Sequence, residues 1–489
     1  MLLLIGLNFL LHFPFFNTPP NSMHVWRQCN TLAVARNFSE EDMNILKPRV
    51  DRRGNSDGVT GMQFPSYEFL LALLYKIFGF HFWLSRAFSF FLFSIGVIFI
   101  YLIFEKLFGT GILPAIAASL FTWSPELFYD SILALPDVLA LTMYVASFYF
   151  FLQWRDRRRL KWFLLFTVSV MLAGLTKLQY SAILVPLSVM VLIELRSGKI
   201  SGRVAFYYFL VTTAVMAVCI GWYLYAVHLI ASSGLTDFGI EFRPAKNMGE
   251  ALSILLKNSV SDIPELLLNY AGFVLFVTGF IVFISKKLYR HWLFLPLFCW
   301  ALILLLYHLI ELEQMRMHQY YMMLYIPLFL FPMVAGALVL LKKSPVILLI
   351  LLIACPALAI IRIYPARFLK DDKAVPVALY EESSRIKLSE VVPTNQLTVV
   401  GPDESGCIFF YFLIKKGFGF ERTEQLFEIE NGKMKVENWI AKGGKYLYTN
   451  DSVLIRGEKM KPFIKKVMLE EKTFFVAELQ PASFLLPLN

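Results

Sequence analysis

About eleven apolar stretches run through residues 2–363, most of them near the roughly 20 helical residues that a hydrocarbon core of about 30 Å demands. Beyond them the chain turns polar. The first two stretches are separated by residues 17–79, a segment rich in aromatic side chains but too polar to span. This pattern predicts a polytopic α-helical membrane protein with about 11 transmembrane helices. A large first outer loop over 17–79 carries interfacial helices, and a small α/β soluble domain follows at the C-terminus. The expected boundaries are 1–365 for the membrane domain and 366–489 for the soluble one. In the tail, strand-like runs at 397–400, 446–448 and 473–478 alternate with helical runs at 375–386 and 408–416, which is the signature of a mixed α/β layer. The tail has no Gly-rich phosphate loop and reads as a structural or acceptor-docking module. Residues 2–16 lack a basic leader and an A-x-A-like cleavage site, so they read as a retained first helix.

Charge changes the picture by fixing sides. Lys and Arg exceed Asp and Glu by 10, a balance that elsewhere suggests nucleic acid. Here the basic residues sit in short loops between spans: Glu105-Lys106, 155–161, 196–203, 286–290 and Lys342-Lys343. With the N-terminus inside, all five loops are cytoplasmic, a consistent positive-inside pattern. Nucleic acid is therefore not an expected partner. The opposite face carries loop 17–79, the turns near 125–137 and at Lys177, segments 231–268 and 311–320, and the tail. Chemistry is expected there. The five cysteines, Cys29, Cys219, Cys299, Cys355 and Cys407, include no CxxC pair and indicate neither a disulfide framework nor a zinc knuckle.

Candidate chemistry on that face begins in the first loop. Residues 33–38 read as one or two helical turns at the membrane surface. Asp51 is surrounded by Arg49, Arg52 and Arg53, neighbours that keep a carboxylate ionised and suited to act as a base; the alternative is a solvated loop of ion pairs. Asp137 follows Pro136 at a helix start, where a carboxylate also serves as a cap. Lys177 is a lone cation between two apolar spans, against the positive-inside bias, and an anion such as a lipid phosphate accounts for it. His318 and Tyr321 top a later span, where a structural histidine is the commoner case.

Together these features resemble the C-type glycosyltransferase superfamily, in the branch that contains protein O-mannosyltransferases and the lipid A aminoarabinose transferase. The segments that carry the resemblance are His24-x-Trp26-Arg27-Gln28-x-x-Thr31 with Ala35-Arg36-Asn37-Phe38, then Phe64-Pro65-Ser66-Tyr67, Pro136-Asp137, Gly174-Leu175-Thr176-Lys177, and His318 to Pro327. The resemblance implies an enzyme that moves a sugar from a polyprenyl-phosphate donor to a lipid, glycan or protein acceptor. It places the protein in a bacterial inner membrane with its soluble domain outside, and it implies inversion at the anomeric centre. Where the family usually has Asp-Glu in the first loop, this chain has Arg27 and Gln28. The implied base is then Asp51, with His24 and Asp137 as the other catalytic candidates. Arg27, Gln28, Arg52, Gln63, Lys177, His318 and Tyr321 are the implied substrate-binding residues. Gln63 stands where an acidic residue would support a metal, which leaves a divalent metal open. The competing readings are a lipid or lipid-linked sugar transporter and a transferase-fold scaffold without catalysis.

Overall fold

The computed structural model describes residues 1–235, 238, 240–287, 290–370 and 374–482. Among them, six helices are long and apolar enough to cross a membrane: Phe82–Phe108, Pro136–Arg157, Leu178–Arg196, Gly202–Ser233, Gln319–Lys343 and Pro345–Phe368. One further candidate is a helix pair, Met248–Leu267 and Tyr270–Ser285, bent by 112° at its break. Four shorter apolar helices, Leu2–Phe15, Ile112–Thr122, Leu160–Thr176 and Phe294–Ile310, complete the apolar set. The basic loop expected at 286–290 and the segment expected at 231–268 each lie partly outside the described residues.

The bend has a local cause. Asn269 takes a left-handed φ of 65°, accepts from the backbone N–H of Ala271 at 3.2 Å, and donates to the Cys355 carbonyl at 2.7 Å. The side chain thereby replaces bonds that the broken helix loses. Helices Tyr270–Ser285 and Ile326–Lys343 meet at Gly279 and Gly336, where any Cβ would run into the facing backbone. Small residues at such crossings let membrane helices approach closely.

The first loop folds inward. Residues 25–40 form one helix, Val25–Glu40, longer than the one or two turns expected, and it is buried almost throughout instead of lying on the membrane surface. The helix Ser66–Phe78 packs against it. Pro65 starts this second helix, and Gly79, at φ 79°, ends it.

The tail forms a five-stranded sheet from β1 (Leu397–Val400), β2 (Lys416–Gly419), β5 (Tyr446–Thr449), β6 (Ile464–Glu471) and β7 (Phe474–Leu479), in the order β2-β1-β5-β7-β6. A separate hairpin joins β3 (Ile429–Glu430) and β4 (Lys433–Met434). Strand β1 runs parallel to β2 and β5, and β7 runs antiparallel to β5 and β6. The run expected to be helical to 416 stops at Leu413, because Ile414 adopts the left-handed conformation and the chain turns into β2.

The alternation of strand side chains explains how the tail attaches. Val399, Leu447 and Ala477 point into the tail's own core. Their neighbours Val400, Tyr448 and Val476 point the other way, into the core shared with the membrane helices. The first loop also extends the sheet. Gly417 donates to the Asp51 carbonyl at 3.1 Å, and its own carbonyl accepts from Arg53 and Gly54 at 3.0 and 2.8 Å. The first loop and the small C-terminal domain are thus joined through the sheet edge.

Candidate active site

Three bonds fix the end of the first loop against the membrane helices. The Phe64 N–H donates to the Leu175 carbonyl at 3.1 Å, the Trp222 indole donates to the Met62 carbonyl at 3.0 Å, and the Ser66 and Thr176 hydroxyls lie 2.5 Å apart. Gly61 permits the approach: a Cβ there would overlap the Ala226 carbonyl. This places Gln63 beside Lys177, the residue that follows helix Leu160–Thr176.

The two residues border a cavity of about 570 Å³, whose wall also includes Trp26, Arg27, Arg243, His318, Tyr320 and Tyr321. Lys177, only 7% exposed, pairs with the fully buried Asp137 at 3.3 Å. Its ammonium lies 5.0 Å from the Tyr321 ring centre and 5.8 Å from that of Tyr320. Arg27 is 4% exposed; its guanidinium sits 5.1 Å from the Phe238 ring centre, and Nη2 has no hydrogen-bond partner among the described residues. Burying a charged donor unbonded costs free energy, and on a cavity wall a ligand atom can relieve that cost. His318 Nδ1 is unpartnered as well. Burial, and then the charges of Lys177 and Arg27, push the His318 ring down to about 4, so it is neutral at physiological pH.

Several expected site residues lie elsewhere. Asp51, the implied base, is 4% exposed and fully engaged: one oxygen takes the Arg36 guanidinium at 2.5 Å and the other the Asn37 amide at 2.9 Å. The arginines expected to keep Asp51 ionised pair with Asp42, Glu421 and Glu41 instead; its partner is Arg36, one of the motif residues, and the pair lies at the tail junction. Arg52 binds Glu421 of the tail at 3.1 Å and does not reach the cavity. Gln28 turns inward and donates to the Met23 carbonyl at 3.4 Å. His24 does not line the cavity; it takes φ 60° at the start of its helix and packs edge-on to Tyr320 at 4.7 Å. Burial first, then the Arg367 charge, hold it neutral. The structure brings Arg27, Gln63, Lys177, His318 and Tyr321 together around one space, with Asp137 behind Lys177.

Glu68 was not anticipated. It lies in the first turn of Ser66–Phe78, fully buried, and accepts from the Gln63 amide nitrogen at 3.2 Å through Oε1, while Oε2 has no partner. Burial pushes its carboxyl up to about 7 against the opposing pull of Arg27 and Lys177. The sequence signal was a lone carboxylate at the head of an apolar helix, which costs too much to be incidental. A second buried acidic group, Glu126 and Asp130, lies one helical turn apart; Arg367 binds Glu126 at 2.9 Å, and both Asp130 oxygens are unpartnered. Among the described residues no three His, Cys, Asp or Glu side chains come together as a metal ligand set. Gln63, the position weighed as a metal support, is tied to Glu68.

Comparison with known proteins gives the class first. Residues 63–223 match the family model described as dolichyl-phosphate-mannose-protein mannosyltransferase. That third of the chain begins at Gln63 and includes Asp137 and Lys177. The whole architecture is the C-type glycosyltransferase fold. It is similar to ArnT from Cupriavidus metallidurans in the apo state, with a TM-score of 0.66 at 13% identity, covering 98% of this chain and 97% of that one. The same protein bound to undecaprenyl phosphate gives 0.63 at 12% identity, with the same coverage of both chains. The arabinofuranosyltransferase AftD from Mycobacteria gives 0.53 at 15% identity, covering 92% of this chain and 36% of that much longer one. A search of curated protein sequences found no match.

Proposed function

We propose that this protein is a glycosyltransferase that moves a sugar from a polyprenyl-phosphate donor to an acceptor hydroxyl at the outer face of a bacterial inner membrane. The observation that carries the reading is the cavity with Lys177 held by Asp137 on one side and Arg27 on another, its Nη2 without a hydrogen bond among the described residues. Two cations in a low-dielectric wall suit one phosphate. A second, apolar groove of about 490 Å³ runs past Phe64, Leu175 and Trp222, two residues from Lys177 along the chain. It suits the prenyl tail. The ArnT structure with undecaprenyl phosphate supports a lipid phosphate as the ligand class.

In the transfer, the bond from the anomeric carbon to the phosphate oxygen breaks, and the phosphate keeps the electron pair. The acceptor oxygen forms the new bond to that carbon, and the hydroxyl proton leaves to the phosphate or to water. Charge accumulates on the phosphate as the bond breaks, and the preplaced Lys177 ammonium stabilises it without reorganising. Asp137 holds that ammonium in place, and the wall of Trp26, His318 and Tyr321 offers ring faces for a sugar.

The test is turnover. Purified protein is mixed with undecaprenyl phosphates carrying labelled mannose, glucose or galactose, and a membrane extract supplies acceptors. Sugar-dependent release of undecaprenyl phosphate that disappears in Lys177→Ala supports the reading. A folded protein that releases none, but carries labelled lipid across proteoliposomes, would instead be a transporter.

A further inference from the structure

Asp51 is spent at the tail junction, paired with Arg36 and Asn37. Something else must receive the acceptor's hydroxyl group. The amide of Gln63 is on the cavity wall, and its nitrogen is committed to Glu68 at 3.2 Å. The atom left facing the cavity is therefore the amide oxygen, a hydrogen-bond acceptor. Glu68 has no cavity surface of its own; it is fully buried behind Gln63, with one oxygen still unbonded. A neutral Leu or Gln would fill that place at far lower cost, unless the charge does something. The groups that act on Glu68 are Arg27 from helix Val25–Glu40, Lys177 from the end of Leu160–Thr176, and Tyr67 on its own helix.

We infer that Glu68 is a positioning residue which, through its hydrogen bond, locks the Gln63 amide with its oxygen toward the cavity, where that oxygen accepts the acceptor's hydroxyl. The inference rests on the transferase reading above. The lock is directional. A carboxylate can only accept, so it fixes the nitrogen end of the amide; a second amide in its place fixes neither end, and Gln63 is then free to present its NH2 group.

The experiment uses the full chain in detergent, with two readouts kept apart: binding of undecaprenyl phosphate, and transfer from the labelled hexosyl undecaprenyl phosphates to the membrane extract. Glu68→Gln is expected to bind undecaprenyl phosphate as wild type does and to lower kcat by about 10-fold or more, the scale on which one oriented polar contact acts in a transition state. Exchanging the pair, Gln63→Glu with Glu68→Gln, returns an acceptor oxygen to the wall and recovers most of the rate. Gln63→Leu leaves Glu68 in place and serves if Glu68→Gln fails to fold; it too should bind the lipid and transfer slowly. Full transfer by Glu68→Gln or by Gln63→Leu overturns the inference, as does an exchanged pair no faster than Glu68→Gln. Failure of the wild-type protein to bind undecaprenyl phosphate would overturn the transferase reading itself, and this inference with it.

Discussion

At the junction of first loop and tail, the charges of Asp51, Glu41 and Arg52 have partners of opposite sign, although Arg36 Nε and Asn37 Oδ1 are buried without a hydrogen bond among the described residues. Asp51 has Arg36 and Asn37, Glu41 has Arg53 and Lys416, and Arg52 has Glu421. Around the cavity the reverse holds. Among the described residues Arg27 Nη2, Glu68 Oε2 and His318 Nδ1 are buried without hydrogen-bond partners, and Lys177 has one counter-charge, Asp137, beside the Tyr320 and Tyr321 rings. Both regions are rich in Arg, Lys and carboxylates, and both lie on the same face. The difference is satisfaction. Charges matched by counter-charges hold two parts of a chain in register, and they cannot serve a substrate without breaking those pairs. Incomplete pairing on a cavity wall leaves polar atoms that a ligand can complete.

The contrast is sharpest in the mutations that should separate the two regions. The largest effect falls on activity at the cavity: Lys177→Ala is expected to lower transfer per folded molecule by ~100-fold or more, the scale of removing a preorganised charge from a developing anion, and it also lowers the unfolding temperature because the buried Asp137 loses its counter-charge. At the junction the effect falls on stability. Asp51→Asn leaves the Arg36 guanidinium buried without its counter-charge and should cost about 3 kcal/mol, read as a lowered thermal midpoint, while the folded fraction keeps its kcat. A drop in kcat at unchanged stability would return Asp51 to the reaction and erase the distinction.

A smaller effect is expected from pH. Burial favours the neutral form of Glu68, so its ionised form is populated only above about pH 7. The lock on Gln63 needs the ionised form, so kcat should rise as pH increases through about 7. His318, pushed down to about 4, stays neutral across that range and adds no step. Glu311 is also pushed up to about 7 by burial, so the assignment rests on the Glu68→Gln variant losing the step and a Glu311→Gln variant keeping it. The smallest effect is at Arg52. Its pair with Glu421 is partly exposed on both sides, and Arg52→Ala should change stability by less than about 1 kcal/mol and leave transfer as it was.

Much of this was legible in the sequence because membrane helices announce themselves by length and apolarity. The spans, the folded first loop and the strands at Leu397–Val400 and 446–448 all follow from local pattern. Lys177 and Asp137 were readable too, since an isolated charge next to a span has few innocent explanations. What local pattern misled about was partnership. Asp51 lies among three arginines in sequence, yet its partner in space is Arg36, 15 residues away on the buried helix. Arg52 reaches Glu421 across 369 residues. The burial of Val25–Glu40 was also invisible, because its polar face is covered by the tail, whose contribution is known only once the sheet is assembled. Glu68 was overlooked because a carboxylate in the first turn of a helix is commonly an exposed favourable charge, and only its burial and its bond to Gln63 set it apart.

The central claim is that the partly unpaired cations around the cavity hold a lipid phosphate, whereas the paired ones at the junction do not. The most direct measurement is the affinity of undecaprenyl phosphate for the purified wild-type protein, for Lys177→Ala and Arg27→Ala, and for Arg52→Ala as the paired control. The account predicts binding by wild type and Arg52→Ala, and a loss of about 10-fold or more in each of the other two, the order of one charge-assisted contact. Equal affinity in all four proteins, or a loss confined to Arg52→Ala, would contradict it.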